Sequence, residues 1–411
     1  ILKMSFYTSN STYGNFYKNK NEEQRSRGIY VRQDNHMDVL RRHKELMEKH
    51  EEKIKSYNEK GTGISNELNQ KEIPLKEYIV PSLAGLQNLG NTCYINTCLQ
   101  NLFHCDLFIG KFLDAFKYYN NSTPISNAFY NLLTLLTDNE RFEHKNFINP
   151  INFVDIFREL HNNFEGYQQH DTQEFCRFLL QDLNKELNEI KNPSSYRKEL
   201  PKKNNKKESF NNYKTYCLSK EKSIITDLFI GYFSFEYNCD CGYKEYSFSQ
   251  FLDLPIQMNE NVQGYDLYQM LRNNFYKKSY VDMGENCSFC KRTSKKNEYM
   301  KIASLPYILI ISLQRINPKT GMKNEATVKF YEGLDLKEII DTETQRGDCT
   351  RYNLFAISNH IGNINSGHYY SQIKIKNNWY CFEDYKVYKI GPQIDMNTNE
   401  VYTLFYRANY I

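Results

Sequence analysis

Residues 85–100 read GLQNLGNTCYINTCLQ, and their reading decides how the rest of the chain is interpreted. Gly85 and Gly90 mark a loop; after Cys93, the apolar residues Ile95, Leu99, Leu102 and Phe103 recur on one helical face. Cys93 therefore stands at a loop-to-helix junction. The partial positive charge of a helix N-terminus favours thiolate over thiol. Backbone N–H groups in such a turn can hold a developing oxyanion, and Asn88, five positions earlier, offers a further amide donor. The plainer alternative is a buried structural cysteine at a capped helix start.

A thiol nucleophile needs a base, and the sequence offers one far downstream. Residues 359–370 read NHIGNINSGHYY. His368 follows Ser366-Gly367 and opens an alternating strand, a setting suited to general acid–base work beside a Gly- and Asn-rich loop. His360, at the other end of that loop, is read as structural or substrate-facing. A carboxylate should orient the imidazole, and residues 379–387, WYCFEDYKV, supply Glu383 and Asp384.

The surrounding chain sets the frame. It has 411 residues, 40% hydrophobic and 15% aromatic, with 34 Tyr and 26 Phe, enough to build a large core. A net charge of +4 is too mild for a dedicated nucleic-acid binder, so no nucleic-acid partner is expected. No run of 18 apolar residues occurs, so no membrane partner is expected either. The first residues lack the pattern of a signal peptide, and eleven cysteines in no secreted framework suggest reduced thiols in the cytoplasm or nucleus.

Residues 1–80 read as a polar extension with one charged helix over Asp38–Tyr57, where Leu40, Met47 and Ile54 lie seven apart. Residues 81–411 read as globular. Two breaks interrupt them: residues 191–222, Lys/Asn-rich and expected as a flexible surface insertion, and a shorter one at 341–351. Helical spacing marks Phe153, Ile156, Phe157 and Leu160, and again Phe175, Leu179, Leu183 and Leu187 in a long helix starting near Asp171. Strands are expected at 307–313, 352–358, 370–375 and 401–406. Helices first and antiparallel-looking strands later predict an α+β fold.

The motif GLQNLGNTCYINTCLQ resembles the Cys box of the ubiquitin-specific proteases, a papain-like cysteine peptidase family. NHIG, SGHYY and WYCFED resemble its His box, and YQQHDTQEFCRFLL (167–180) a third block; Leu254, ILIISLQR and YTLFYR follow in family order. The resemblance covers about 81–411 and rests on long boxes in the right order. It implies a papain-like fold with thumb (about 85–190), fingers (about 230–300) and palm in the remainder. It implies hydrolysis after the C-terminal Gly of ubiquitin through a thioester, with ubiquitin and ubiquitinated proteins as partners. Carried over by position, Cys93 is the nucleophile, His368 the general base and Asn88 an oxyanion-hole donor. The family usually has Asp or Asn where Glu383 stands. Read as one strand, Glu383 and Asp384 point to opposite faces, and chain length favours Asp384 as the partner of His368. Rival readings are a silent ubiquitin-binding module, a peptidase for another ubiquitin-like modifier, and a generic papain-like endopeptidase.

Cys239 and Cys241 lie upstream of Cys287 and Cys290. Four thiols in two clusters fit a tetrahedral structural zinc, and the resemblance implies such a site in the fingers. Cys239 is one position away from where the family pattern would put it. The resemblance also places Asp171 and Glu174 on the channel for the Arg-Gly-Gly tail of ubiquitin, with Tyr369 on its wall and the loop Gly362–Ser366 as a lid. Asp171 could equally cap its helix.

Overall fold

The computed structural model describes residues 83–409 except 118–122, 138–146, 167, 192–204, 259–261, 276–278, 282–286, 288, 293–295, 318–319, 345–348 and 364–365. The expected extension over 1–80, its helix included, lies outside the described residues, as do the middle of the 341–351 break and of the loop Gly362–Ser366.

Helices α1 (Cys93–Phe103), α2 (Asp106–Phe116), α3 (Pro124–Thr137), α4 (Ile151–Leu160) and α5 (Thr172–Glu186) gather around an aromatic core. Phe108, Phe112 and Phe129 meet at centroid distances between 4.9 and 6.1 Å, the range in which edge and offset ring contacts are favourable. The open N-terminus of α3 is closed from a distance: the Glu186 carboxylate accepts from the amides of Ile125 (3.0 Å) and Ser126 (2.6 Å).

Helix α1 is buried along its whole length, although four of its eleven residues are polar. Its polar side chains and carbonyls therefore need partners inside the protein. Gln100 donates to the carbonyl of Ala84 (2.9 Å) and Asn101 to the Ser358 hydroxyl (2.8 Å), while Ser371 donates to the carbonyl of Thr97 (3.0 Å). These bonds fix α1 between the helical lobe and a sheet.

Strands β1 (Gly85–Leu86) and β2 (Phe147–Ile148) form a short parallel pair beside that helix. The following elements are β3 (Gly231–Asn238), β4 (Lys244–Phe251), β5 (Leu254–Gln257), β6 (Gly264–Asp266), β7 (Ser279–Val281), β8 (Lys296–Ser304) and β9 (Ile308–Gln314). Then come β10 (Thr327–Lys329), β11 (Gly333–Asp335), β12 (Arg351–Gly362), β13 (Gly367–Ile375), β14 (Asn378–Glu383), β15 (Lys386–Gly391), β16 (Asn397–Thr398) and β17 (Val401–Ala408). The main sheet runs β15-β14-β13-β12-β17-β9-β5, antiparallel except where β5 meets β9. The run 307–313, expected as a buried strand, is β9, flanked on both sides and inaccessible along most of its length. On this sheet, Leu254, Leu309, Trp379 and Tyr406 form a second core with Leu267, Met270 and Leu271 of helix α8 (Leu267–Phe275). The α+β class read from the sequence is the class observed.

A separate ribbon, β4-β3-β8-β7, projects the cysteine clusters. Here one expectation is corrected. Part of the Lys/Asn-rich 191–222 stretch is a regular helix, α6 (Lys206–Leu218), followed by the short α7 (Ile224–Leu228). Phe210 and Cys217 of α6 bury against Tyr232 and Ala303. Lys206, also buried, reaches Asp341 at 2.5 Å and Glu236 at 3.2 Å, tying the ribbon to the turn after β11. Three well-placed anchors outweigh a polar composition.

Candidate active site

Cys93 is the first residue of α1 and is buried. The loop before it is held by its own side chains. Asn88 Oδ1 accepts from the amides of Gly90 (2.9 Å) and Thr92 (3.2 Å), and Gly90 (φ 96°) and Asn91 (φ 55°) take left-handed backbone. Burial pushes the Cys93 thiol up. The Tyr369 amide pulls it down, the Asp384 charge pushes it up, and the amides of Tyr94 and Cys93 pull it down. The balance is upward, so the thiolate favoured at rest that the helix terminus suggested is overturned by desolvation.

Ser371 of β13 donates to the Thr97 carbonyl of α1 (3.0 Å), and the Tyr369 amide acts on the Cys93 thiol, so the strand that begins with Gly367-His368 is seated at the start of α1 across 275 positions of sequence. His368 stands second in β13, paired with Ile361, half-exposed at the cleft. Its Nε2 lies 3.5 Å from Glu383 Oε1, within ion-pair range and longer than a well-formed hydrogen bond. The hairpin that presents it is pinned from the third sequence block: Gln169 donates to the Gly367 carbonyl and accepts from the Gly367 amide, both at 2.9 Å. Gly367 has to be glycine, because a Cβ there would stand 2.2 Å from His360 Nε2. His360 itself is packed beneath the hairpin, 4.5 Å from the Tyr369 ring and 5.9 Å from Tyr402, and burial lowers its imidazole to about 4. It is structural.

The preference for Asp384 as the partner of His368 is corrected. β14 ends at Glu383, and Asp384 falls in the tight turn to β15 with φ 51°. That turn rotates its carboxylate to the other side, where Oδ2 accepts from Asn88 Nδ2 and Oδ1 from Asn96 Nδ2, each at 2.8 Å. Its carbonyl accepts from the Leu86 amide (2.8 Å), so closely that a Cβ on Gly85 would stand 2.5 Å from that oxygen. Glu383 is the acid beside the imidazole; Asp384 holds the amide of Asn88.

Two substrate-contact expectations also change. Asp171 is the N-cap of α5: it accepts from the Gln173 amide at 2.7 Å and from the Tyr402 hydroxyl, so its carboxylate is engaged by its own fold. The Tyr369 ring is buried with His360 and Tyr402 instead of lining a channel; strand alternation sends it to the face opposite His368. Glu174 remains half-buried in the first turn of α5, its carboxyl raised to about 7 by burial and by Asp171. Sequence reading missed Asn96 and Gln169. Asn96 lies one helical turn beyond Cys93, and Gln169 two residues before Asp171, both within the quoted blocks.

At the tip of the ribbon, the sulfurs of Cys239, Cys241, Cys287 and Cys290 all lie within 4.8 Å of one another. Cys239 is 3.9 Å from Cys290, and Cys241 is 3.9 Å from Cys287. Four thiolates about 2.3 Å from one zinc ion would stand about 3.8 Å apart, so the cluster could hold zinc. The unusual single-residue spacing closes because Gly242, at φ 85°, bonds its amide to the Cys239 carbonyl (2.9 Å).

A family model described as ubiquitin carboxyl-terminal hydrolase matches residues 84–406. The chain belongs to this family. It is 30% identical over 354 residues to human ubiquitin carboxyl-terminal hydrolase 2, covering 79% of this chain and 55% of that protein. It is 30% identical over 357 residues to probable ubiquitin carboxyl-terminal hydrolase 4 of Schizosaccharomyces pombe, covering 79% and 58%. The chain thus spans little more than half the length of these relatives. The solved SAGA deubiquitinase module containing Ubp8, bound to monoubiquitin, matches with a TM-score of 0.64 at 22% identity, covering 84% of this chain and 73% of that one. That likeness is one of fold. Among the described residues, no helix is long and apolar enough to cross a membrane.

Proposed function

We propose that this chain is a cysteine-type deubiquitinase, cleaving the peptide or isopeptide bond after the C-terminal Gly of ubiquitin. The observation that carries the proposal is the seat of β13 on α1, with Ser371 bonded to the Thr97 carbonyl (3.0 Å), which brings His368 to the helix start that carries Cys93. Because the resting thiol is raised, the sulfur needs a base as it attacks. With Nε2 of His368 toward Glu383, Nδ1 is left to take the Cys93 proton. The sulfur attacks the Gly carbonyl carbon, and the oxyanion is held by the Cys93 amide and the second N–H of Asn88, whose first is committed to Asp384. Imidazolium then protonates the departing amine, leaving a thioester. His368 deprotonates a water that attacks this thioester, releasing the ubiquitin carboxylate and restoring the thiol.

Glu174 is the proposed contact for the arginine of the ubiquitin tail: a carboxyl near 7 is half-protonated when alone and ionises when a guanidinium arrives. Cys239, Cys241, Cys287 and Cys290 are proposed to hold one structural zinc, which would lock the ribbon tip where side-chain packing is thin. The proposed setting is cytoplasmic or nuclear.

Ubiquitin carrying a C-terminal electrophile tests the reading, with the modified residue mapped by mass spectrometry. An adduct on Cys93, together with turnover of a ubiquitin C-terminal fluorogenic amide, is expected. Complex formation with neither adduct nor turnover would make the chain a silent binding module, and faster labelling by another modifier would reassign its substrate.

A further inference from the structure

Lys323 lies outside every motif singled out in the sequence, yet its side chain is only 4% exposed. Its ammonium donates to the carbonyls of His360 (2.9 Å) and Gly362 (3.3 Å), the last residues of β12. Those residues lead directly into the hairpin that presents His368, since Ile361 pairs with His368 and Gly362 with Gly367. The Glu325 carboxylate is 3.5 Å away and 56% exposed, so the nearer, partly buried carbonyl of His360 is the more sheltered partner of this cation.

The lysine is itself rigidly mounted. Asn317 donates to the Met322 carbonyl (2.9 Å), and Gly321 to the Asn317 carbonyl (2.8 Å). Lys323 also bridges back to Ile316. Behind it, the buried Arg315 donates to the carbonyls of Asn324 and Ala326, each at 2.9 Å, and to that of Val401 (2.6 Å). The segment after β9 is thus braced against β17, and the Lys323 ammonium grips the far end of β12.

From this geometry we propose that Lys323 is a positioning residue for His368, joining the turn after β9 to the hairpin so that the imidazole is held toward Cys93. The inference rests on the catalytic reading given above. The pairing of β12 with β17 ends at Asn359 and Val401, so beyond it the carbonyls of His360 and Gly362 take the Lys323 ammonium in place of a strand on that side. Gly362 at φ 89° and Gly367 offer little stiffness of their own.

The experiment compares the wild type with Lys323→Met and Lys323→Arg. Methionine keeps the apolar stem and removes the donors; arginine keeps the charge. In Lys323→Met, kcat for a ubiquitin fluorogenic amide should fall roughly tenfold or more, while KM stays within about threefold. The rate of Cys93 alkylation by iodoacetamide should fall at neutral pH, its pH midpoint moving upward as the imidazole drifts away. Lys323→Arg should restore much of both. A folded Lys323→Met with unchanged kcat and an unchanged alkylation profile would overturn the proposal. So would equal losses in Lys323→Met and Lys323→Arg, which would indicate a merely structural site. Should Lys323→Met fail to fold, Lys323→Gln is read by the same two assays and the same criteria. Alkylation needs no ubiquitin, so absence of turnover in the wild type would sink the catalytic reading and still leave Lys323 decided by the alkylation profile.

Discussion

Cys93 and the ribbon-tip cysteines are the same chemical group in opposite settings. Cys93 is a single thiol in a dense seam, surrounded by amides and held by a helix whose every residue is buried. The seam would keep its shape without the sulfur. The sulfurs of Cys239, Cys241, Cys287 and Cys290 lie within 4.8 Å of one another, and beside them Phe289 is 70% exposed and stacks on Tyr243. There the sulfurs are the core. The difference teaches that the same thiol is spare for folding in one place and indispensable in the other.

Paired substitutions give the widest separation. Cys93→Ala should abolish turnover, by roughly five orders of magnitude or more, while unfolding free energy changes by about 1 kcal/mol or less. Cys287→Ser should do the reverse: loss of zinc by mass spectrometry and a destabilisation exceeding about 4 kcal/mol, with Cys93 alkylation in the remaining folded protein preserved. A stable, zinc-free Cys287→Ser protein would break the comparison.

Within the seam, Asp384→Ala ranks next. It removes the partner of both Asn88 and Asn96 and leaves Glu383 in place. Turnover should fall roughly a hundredfold, the scale of losing one oxyanion donor, while the pH at which Cys93 is alkylated moves down, because the Asp384 charge that raises the thiol is gone. An upward shift of that midpoint would instead return Asp384 to His368.

Much of this was legible in the sequence because the signals are local. Helical spacing after Cys93 and in the Phe175–Leu187 set gives α1 and α5, and the run at 307–313 gives β9. What failed was decided by one or two residues of backbone. WYCFEDYKV reads as one strand, yet a turn at Asp384 sends adjacent acids to different partners. The α6 segment did carry a signal, Phe210, Tyr213 and Cys217 at helical spacing, masked by its lysines and asparagines. Lys323 and Gln169 carried none, since their roles lie in carbonyls and amides of distant segments.

Acid should expose another contrast. His104, His170 and His360 all sit in the seam with imidazoles lowered to about 4, chiefly by burial, and the ribbon over 231–304 has no histidine. A folded-state value below the ordinary 6.5 means the unfolded chain binds the proton first. Their stabilisation is complete above about 6.5 and is lost as pH falls toward 4, at no more than about 1.4 kcal/mol per pH unit for each. Raised carboxyls such as Glu174 act in the opposite sense, so NMR titration of the three imidazoles is the direct check; a ring titrating near 6.5 would contradict its burial.

Glu383→Ala should have the smallest effect on the chemistry. Its oxygen stands 3.5 Å from His368 Nε2, longer than a formed hydrogen bond, so it restrains the ring only weakly at rest. Turnover should fall roughly tenfold, against the hundredfold of Asp384→Ala, and Glu383→Asp should not exceed that loss. The ordering is the informative part. If Glu383→Ala proves the more damaging, the 3.5 Å contact must tighten when substrate binds, and the imidazole would then draw its orientation from the acid as well as from the Gln169 and Lys323 anchors of its hairpin.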